Sequence, residues 1–307
     1  MADAPKRCRR VSIREALREF ALAAHGVQSQ RHIKPLHWYI ACRLCLEGGF
    51  DPDEITPRPP FVVKHRGSGK ARRRVIEYAA ASGGSGEQTI LGGLKTKQVD
   101  VVVTKAGIGP VIAVSVKGTL NAFRNLTNRL EEAGGDCTNL HLTYRSLVYA
   151  FWSVIRANRP GPLPPRAPVG MKTENGRVGT NDVAVDQEGQ ATSSVVRYHL
   201  ALSGLAGRGG IRNDISKYEA VAMTLVEVDA ERIGHIFPDY PEADSPLRLE
   251  RFFPLIYQQY DLRFVYQAPD LQSLTGRRGW SDDSPALKKW AAKEYDPRMA
   301  DKADVPD

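Results

Sequence analysis

Asp100 interrupts a run of valines, with Val99 on one side and Val101-Val102-Val103 on the other. A carboxylate in such a run is costly to bury unless it binds a cation or is well hydrogen-bonded. Lys117 is likewise the first charge after Val111-Ile112-Ala113-Val114. Alternate residues of an extended segment share a face, so Ser115 and Lys117 point the same way. An acid and a lysine at the ends of neighbouring apolar strands can hold a hard cation and stabilise negative charge that develops during a reaction. A strand-end salt bridge accounts for the pair equally well, and the segment that follows favours chemistry. Thirteen residues separate Lys117 from Glu131, and the intervening Arg124, Asn125, Asn128 and Arg129 are suited to DNA contacts.

These residues must be positioned by the elements around them. Ser12 can cap a helix running to Ala24, with Ile13, Leu17, Phe20 and Ala21 as its buried stripe. A second helix is expected over Leu36 to Glu47, ending at Gly48-Gly49. The proline-rich stretch Thr56 to Pro60 leads into a basic loop, and Lys70 to Ala81 reads as helical. Thr89-Ile90-Leu91 is a short strand, and Val99 to Thr104 and Pro110 to Lys117 read as adjacent buried strands. Residues 123, 126 and 130 have helical spacing, which predicts a helix over Asn121 to Ala133 stopped by Gly134-Gly135. Tyr144 to Ile155 is apolar, and topology favours a strand. Residues 158–193 are rich in proline, glycine and polar side chains, as in a long loop or linker. Beyond them lie a helix near Val195–Leu205, a strand near Ala220–Val228, a helix near Leu249–Tyr260 and a charged tail after Ser281.

Asp100, Ser115-Val116-Lys117 and Glu131, carried in this order of helix, strands, helix and strand, resemble the PD-(D/E)XK nuclease superfamily. The pattern is similar to a subgroup of type II restriction enzymes in which the central acid has migrated to the following helix. The resemblance covers residues 70 to 155. Val99 stands where the motif has proline, and the gap from Asp100 to Lys117 is shorter than in that subgroup, so no recognition sequence carries over. What it implies is an α/β fold: a restriction-endonuclease-like core of a mixed central sheet flanked by helices, with helical N-terminal and α+β C-terminal additions. The corresponding divisions are a helical region 1–60, a nuclease core 61–157, a loop or linker 158–193, a C-terminal region 194–280 packing on the core, and a flexible tail 281–307. It also implies Mg2+ held by Asp100 and Glu131, with Lys117 stabilising charge in phosphodiester hydrolysis. Glu132 continues the polar stripe Asn121, Asn125, Asn128, whereas the motif spacing favours Glu131. Glu77 is the natural candidate for a further acid from the helix before the first strand; its alternative is an exposed residue paired with a nearby arginine.

Composition sets the wider expectations. The 307 residues carry a net charge of +8, with 42% hydrophobic and 25% charged residues. The values are those of an ordinary globular chain, and the excess charge favours a polyanionic partner. Lys64, His65, Arg66, Lys70, Arg72, Arg73 and Arg74 crowd one stretch, either a solvated loop or one that contacts phosphates, with Lys70 and Arg72 the candidates for contact. No apolar run is long enough for a membrane helix, so a cytoplasmic protein is expected. Of four cysteines only Cys42 and Cys45 have CxxC spacing; lacking further ligands, they read as buried thiols. Gly67-Ser68-Gly69-Lys70 lacks the rest of a phosphate loop, His141 reads as a core or capping residue, and the aromatics from Phe252 to Tyr266 read as core. The expected partners are double-stranded DNA and a second copy of the chain, two active sites serving the two strands of a palindrome. A nuclease acting on modified or structured DNA, or a DNA binder with an inactive nuclease fold, are the alternatives.

Overall fold

The computed structural model describes residues 7–23, 32–68, 72–121, 123–163, 171, 173–209, 213–289 and 295–300. In chain order the elements are α1 (Ile13–Ala21), α2 (Lys34–Leu46), β1 (Ile55–Thr56), β2 (Phe61–Arg66), β3 (Arg73–Tyr78), β4 (Gln88–Leu91), β5 (Thr96–Val99), β6 (Val101–Lys105) and β7 (Gly109–Thr119). They continue as α3 (Leu126–Thr143), β8 (Val148–Arg156), β9 (Thr173–Glu174), β10 (Arg177–Val178), α4 (Ser193–Gly204), β11 (Ala220–Val226), α5 (Leu249–Tyr260), α6 (Gln272–Thr275) and α7 (Pro285–Lys289).

The fold is α/β, built on a five-stranded mixed sheet in the order β1-β6-β7-β8-β11 with helices on both faces. β6 runs antiparallel to β7, a short connection that aligns Val101 with Val114. β7 and β8 are parallel, with Lys117 beside Ser153, and a parallel pair needs a crossover, which α3 supplies. β11 pairs parallel to β8, so residues beyond 194 complete the central sheet. Both faces are covered, which is why β7 and β8 are apolar almost without interruption. Val114, Val116, Trp152 and Val154 pack toward α1, α2 and α5, while Ala113, Tyr149 and Phe151 pack toward α3 and α4.

Local chemistry explains the helix ends. Ser12 Oγ accepts from the Glu15 N–H at 3.1 Å, and Glu15 accepts from the Ser12 N–H at 2.8 Å, a reciprocal cap that starts α1. α2 is buried nearly all round, because the sheet lies on one side and the C-terminal segment on the other; Tyr39 meets Trp152, Phe253 and Tyr295. Its Cys42 and Cys45 are free and buried, as are Cys8 and Cys137.

The structure corrects several sequence expectations. Residues 70–81 hold no α-helix among those described: Arg73–Tyr78 is a strand paired with Phe61–Arg66, because Val75 and Ile76 bury against the body of the molecule when extended. α3 does not stop at Gly134-Gly135 but runs on to Thr143. Two interior glycines cost about 1 kcal/mol each, and burial of Cys137, Asn139 and Leu140 beyond them outweighs that. Within 158–193, Asn158 donates to the carbonyls of Leu120 and Asp182, and Val185 bridges Ala191, so much of this stretch is tied to the core. Beyond Ser281, residues 295–300 are also held: Tyr295 donates to the Val11 carbonyl, and the Arg298 N–H to Leu46. No described helix is long and apolar enough to cross a membrane.

Two positions test this packing. A Cβ at Gly118 on β7 would lie 2.7 Å from Ile33 Cγ2 and 2.8 Å from the Phe20 ring. Gly118→Ala is therefore expected to cost about 1–3 kcal/mol in urea unfolding. Arg156, at the end of β8, is fully buried with no partner for any guanidinium nitrogen among the described residues, and burial lowers its pKa to about 10. An unpaired buried cation is unfavourable, so Arg156→Met should raise the unfolding free energy by on the order of 1 kcal/mol or more.

Candidate functional site

Asp100 occupies the break between β5 and β6, where the chain passes from the β4–β5 hairpin into the central sheet. One carboxylate oxygen accepts from the Val116 N–H on β7 at 2.6 Å, which fixes the side chain. The other lies 3.5 Å from His37 Nε2, reaching in from α2. Glu87, in the segment before β4, brings an oxygen to 3.9 Å from His37 Nδ1. One ligand atom from each of His37, Glu87 and Asp100 lies within 4.8 Å of the others, a spacing at which three groups could share one metal ion.

Lys117 emerges from β7 on the α3 face, and its ammonium lies 3.3 Å from Glu132. Arg129, one turn earlier on α3, reaches the same carboxylate at 3.5 Å. One turn later, Asp136 pairs with Lys97 of β5. Ser115, also on this face, hydrogen-bonds the Tyr149 hydroxyl at 2.8 Å and is fully occupied in the core.

The electrostatics follow from burial. Burial pushes the Asp100 carboxyl up to about 6, against the Val116 hydrogen bond and the charge of Lys117. Burial also raises Glu87, and the neighbouring Asp100 adds to the effect. Burial lowers His37 to about 4, so its imidazole is neutral at pH 7 and able to donate a lone pair to a metal. Burial opposes ionisation of Glu132, but Lys117 overcomes it and holds the carboxyl below its ordinary value.

The structure therefore brings Asp100 and Lys117 into one site and changes the acids around them. Glu132, not Glu131, meets Lys117, although both are exposed on α3. Each residue turns an α-helix by about 100°, and burying Leu126, Ala133, Cys137 and Leu140 sets the rotation so that Glu132 and Asp136 face the sheet's lysines. Glu77 lies on β3, not on a helix, and pairs with Lys64 at 2.6 Å and Arg66 at 3.4 Å. The Lys64 hydrogen bond is the main cause of its lowered pKa. Glu87 supplies the further acid instead, from a glycine-rich segment that periodicity reads as mere connection. His37 had one available signal, a histidine inside a mostly apolar helix. Asn125 and Asn128 are exposed near the start of α3, and Arg124 lies in the turn before it. Arg72 is exposed beside β3, and Lys70 falls outside the described residues. His141 is buried, with Nδ1 3.0 Å from the Ile215 carbonyl, and serves the core.

The opposed shifts of Asp100 and His37 give a signed pH test. Folded Asp100 holds its proton up to about pH 6, so its contribution to stability falls as pH rises from about 4 to 6. Folded His37 sheds its proton near pH 4, so its contribution rises as pH goes from 4 toward 6.5. The two offset each other in the wild type. Asp100→Asn removes only the first, so the stability of this variant relative to wild type should rise from about pH 4 to 6 and then level off, measured by urea unfolding in EDTA. A flat difference across that window would mean that Asp100 is not destabilised when ionised.

Comparison with known proteins gives no name to this arrangement: no family model matches the chain, and neither a curated protein nor a solved structure matches it.

Proposed function

We propose that the chain is a metal-dependent deoxyribonuclease that hydrolyses phosphodiesters in double-stranded DNA, as a site-specific endonuclease of the PD-(D/E)XK type. The observation that carries this reading is the meeting of the buried Asp100, the partly buried Glu87 and the neutral imidazole of His37, within the field of a lysine that is paired to a third acid. Such a set suits attack on an anionic diester, where like charge must be neutralised and the nucleophile oriented. A structural salt bridge needs neither three ligand groups nor a carboxyl raised to about 6. The topology supports the same reading: the acid precedes one strand, the lysine lies on its antiparallel neighbour, and a crossover helix leads to a parallel strand.

Each residue has a distinct task. Asp100 is locked by the Val116 N–H, which leaves its second oxygen free for a ligand. A divalent cation held by Asp100, Glu87 and His37 would neutralise the phosphate and promote hydroxide formation from water. Mg2+ suits the two carboxylates, and the imidazole extends the set toward Mn2+. Lys117 orients the attacking water and stabilises charge that builds up on the phosphoryl oxygens. Glu132, itself paired with Arg129, holds the flexible lysine side chain in place.

Cleavage of supercoiled plasmid and phage DNA in Mg2+, Mn2+ or EDTA tests this assignment. Discrete metal-dependent fragments are expected, with Asp100→Ala and Lys117→Ala each slower by about 100-fold or more in single-turnover rate. Glu132→Gln should impair cleavage well beyond Glu131→Gln. Full activity in Lys117→Ala would falsify the site; DNA binding with no cleavage on methylated or unmethylated substrates would leave an inactive binder.

A further inference from the structure

β2 and β3 form a two-stranded antiparallel ribbon that is separate from the central sheet. Its base is buried through Phe61, Val75 and Ile76, while Lys64, His65, Arg66, Arg72 and Arg73 toward its tip are exposed. Arg66 and Arg73 are direct cross-strand partners, although like charges directly opposite destabilise a sheet. The acids nearby are unevenly spent. Glu77 takes Lys64 and Arg66, Asp283 takes Arg66 again, and Asp51 takes Arg74. Arg72, Arg73 and Arg278 have no ion-pair partner among the described residues. They line a cleft of about 440 Å³ between the ribbon and the C-terminal segment at Asp282 and Met299.

The ribbon is also rigidly mounted. The Arg74 guanidinium stacks on Trp280 at 3.8 Å and donates to the carbonyls of Gly49 and Arg278. The Ser281 N–H donates to the Arg74 carbonyl, and the Ile76 N–H to Ser284. A paired ribbon with strands about 5 Å apart fits the major groove of B-DNA, which is about 12 Å wide.

We propose that the β2–β3 ribbon enters the major groove of duplex DNA, with Arg66, Arg72 and Arg73 contacting its phosphates and groove edges and the arginine-lined cleft holding the adjoining backbone. The choice of duplex DNA as the polyanion rests on the nuclease reading. Gly49, to which the ribbon is pinned, lies twelve residues beyond His37 along and just past α2. The helical part, His37 to Leu46, spans nine residues or about 14 Å at 1.5 Å per residue, about four base-pair steps, a spacing that one duplex can bridge.

The test is fluorescence anisotropy of the full chain with a labelled duplex of about 20 base pairs in EDTA, over about 50 to 200 mM KCl. Arg66→Gln/Arg72→Gln/Arg73→Gln is compared with Arg18→Gln/Arg177→Gln/Arg197→Gln, which removes the same charge from exposed positions elsewhere. The ribbon variant should bind at least about tenfold more weakly, with a salt slope lower by about two to three, while the control keeps most of its affinity. Arg72→Gln/Arg73→Gln, which disturbs no ion pair, should show most of the same loss, and circular dichroism should be unchanged. Equal losses in the two triple variants, or equal competition by single-stranded DNA or heparin and by duplex, would overturn the proposal. EDTA keeps the outcome separate from catalysis: ribbon-dependent duplex binding by a chain that never cuts DNA would sink the nuclease reading and leave this one standing.

Discussion

Asp100 is the point on which the site depends, because a carboxylate sealed between two strands is tolerated only if its surroundings supply what water would have supplied. The Val116 N–H satisfies one oxygen, and Lys117 and Lys97 lower the cost of its charge, yet burial still dominates and holds the carboxyl at about 6. The group is therefore left with an unmet electrostatic demand on the side where His37 and Glu87 stand. Glu87 shares that demand, since burial and the charge of Asp100 both raise it. A divalent cation is the simplest partner that stabilises both acids at once, and the neutral imidazole beside them offers a lone pair without adding positive charge.

The sheet makes this arrangement possible. Antiparallel pairing of β6 with β7 brings the start of one strand close to the end of the other, so Asp100 can reach the backbone of Val116. The parallel step from β7 to β8 then requires a crossover, and the crossover helix carries Glu132 and Asp136 across the same edge. α2 closes the opposite side, and its near-complete burial is what holds His37 without freedom to turn away. The geometry of the cluster and the packing of the core are thus the same set of contacts seen from two sides.

Under the proposed function, the ribbon and the cluster would divide the labour that a DNA enzyme needs. The cluster is small and sheltered, whereas the ribbon is exposed and rich in positive charge. α2 links them physically, with His37 toward one end and the Arg74 anchor at Gly49 just beyond the other. Mounting through Trp280 and the C-terminal segment means that little conformational freedom would remain to be lost on the proposed binding of a duplex.

Asp100 and Lys117 were legible in the sequence because a charge inside an apolar strand stands out against period-two burial, and the strands themselves follow from runs of valine and isoleucine. The Ser12 cap, the buried thiols and the core role of His141 were legible for similar local reasons. Glu132 was not singled out, since neighbouring helix residues differ by about 100° and only packing of Leu126, Ala133 and Leu140 on the sheet decides which one reaches Lys117. His37 and Glu87 were hidden because they meet Asp100 from 63 and 13 positions away in the chain, and no local periodicity encodes that encounter. The strand over Arg73–Tyr78 does not follow from local periodicity, because its extended form depends on pairing with β2 and on Ser284, 208 positions away. Local chemistry alone thus determined which residues could not be ordinary core, and the tertiary structure decided which distant side chains answer them, because side-chain direction is set by packing and not by spacing.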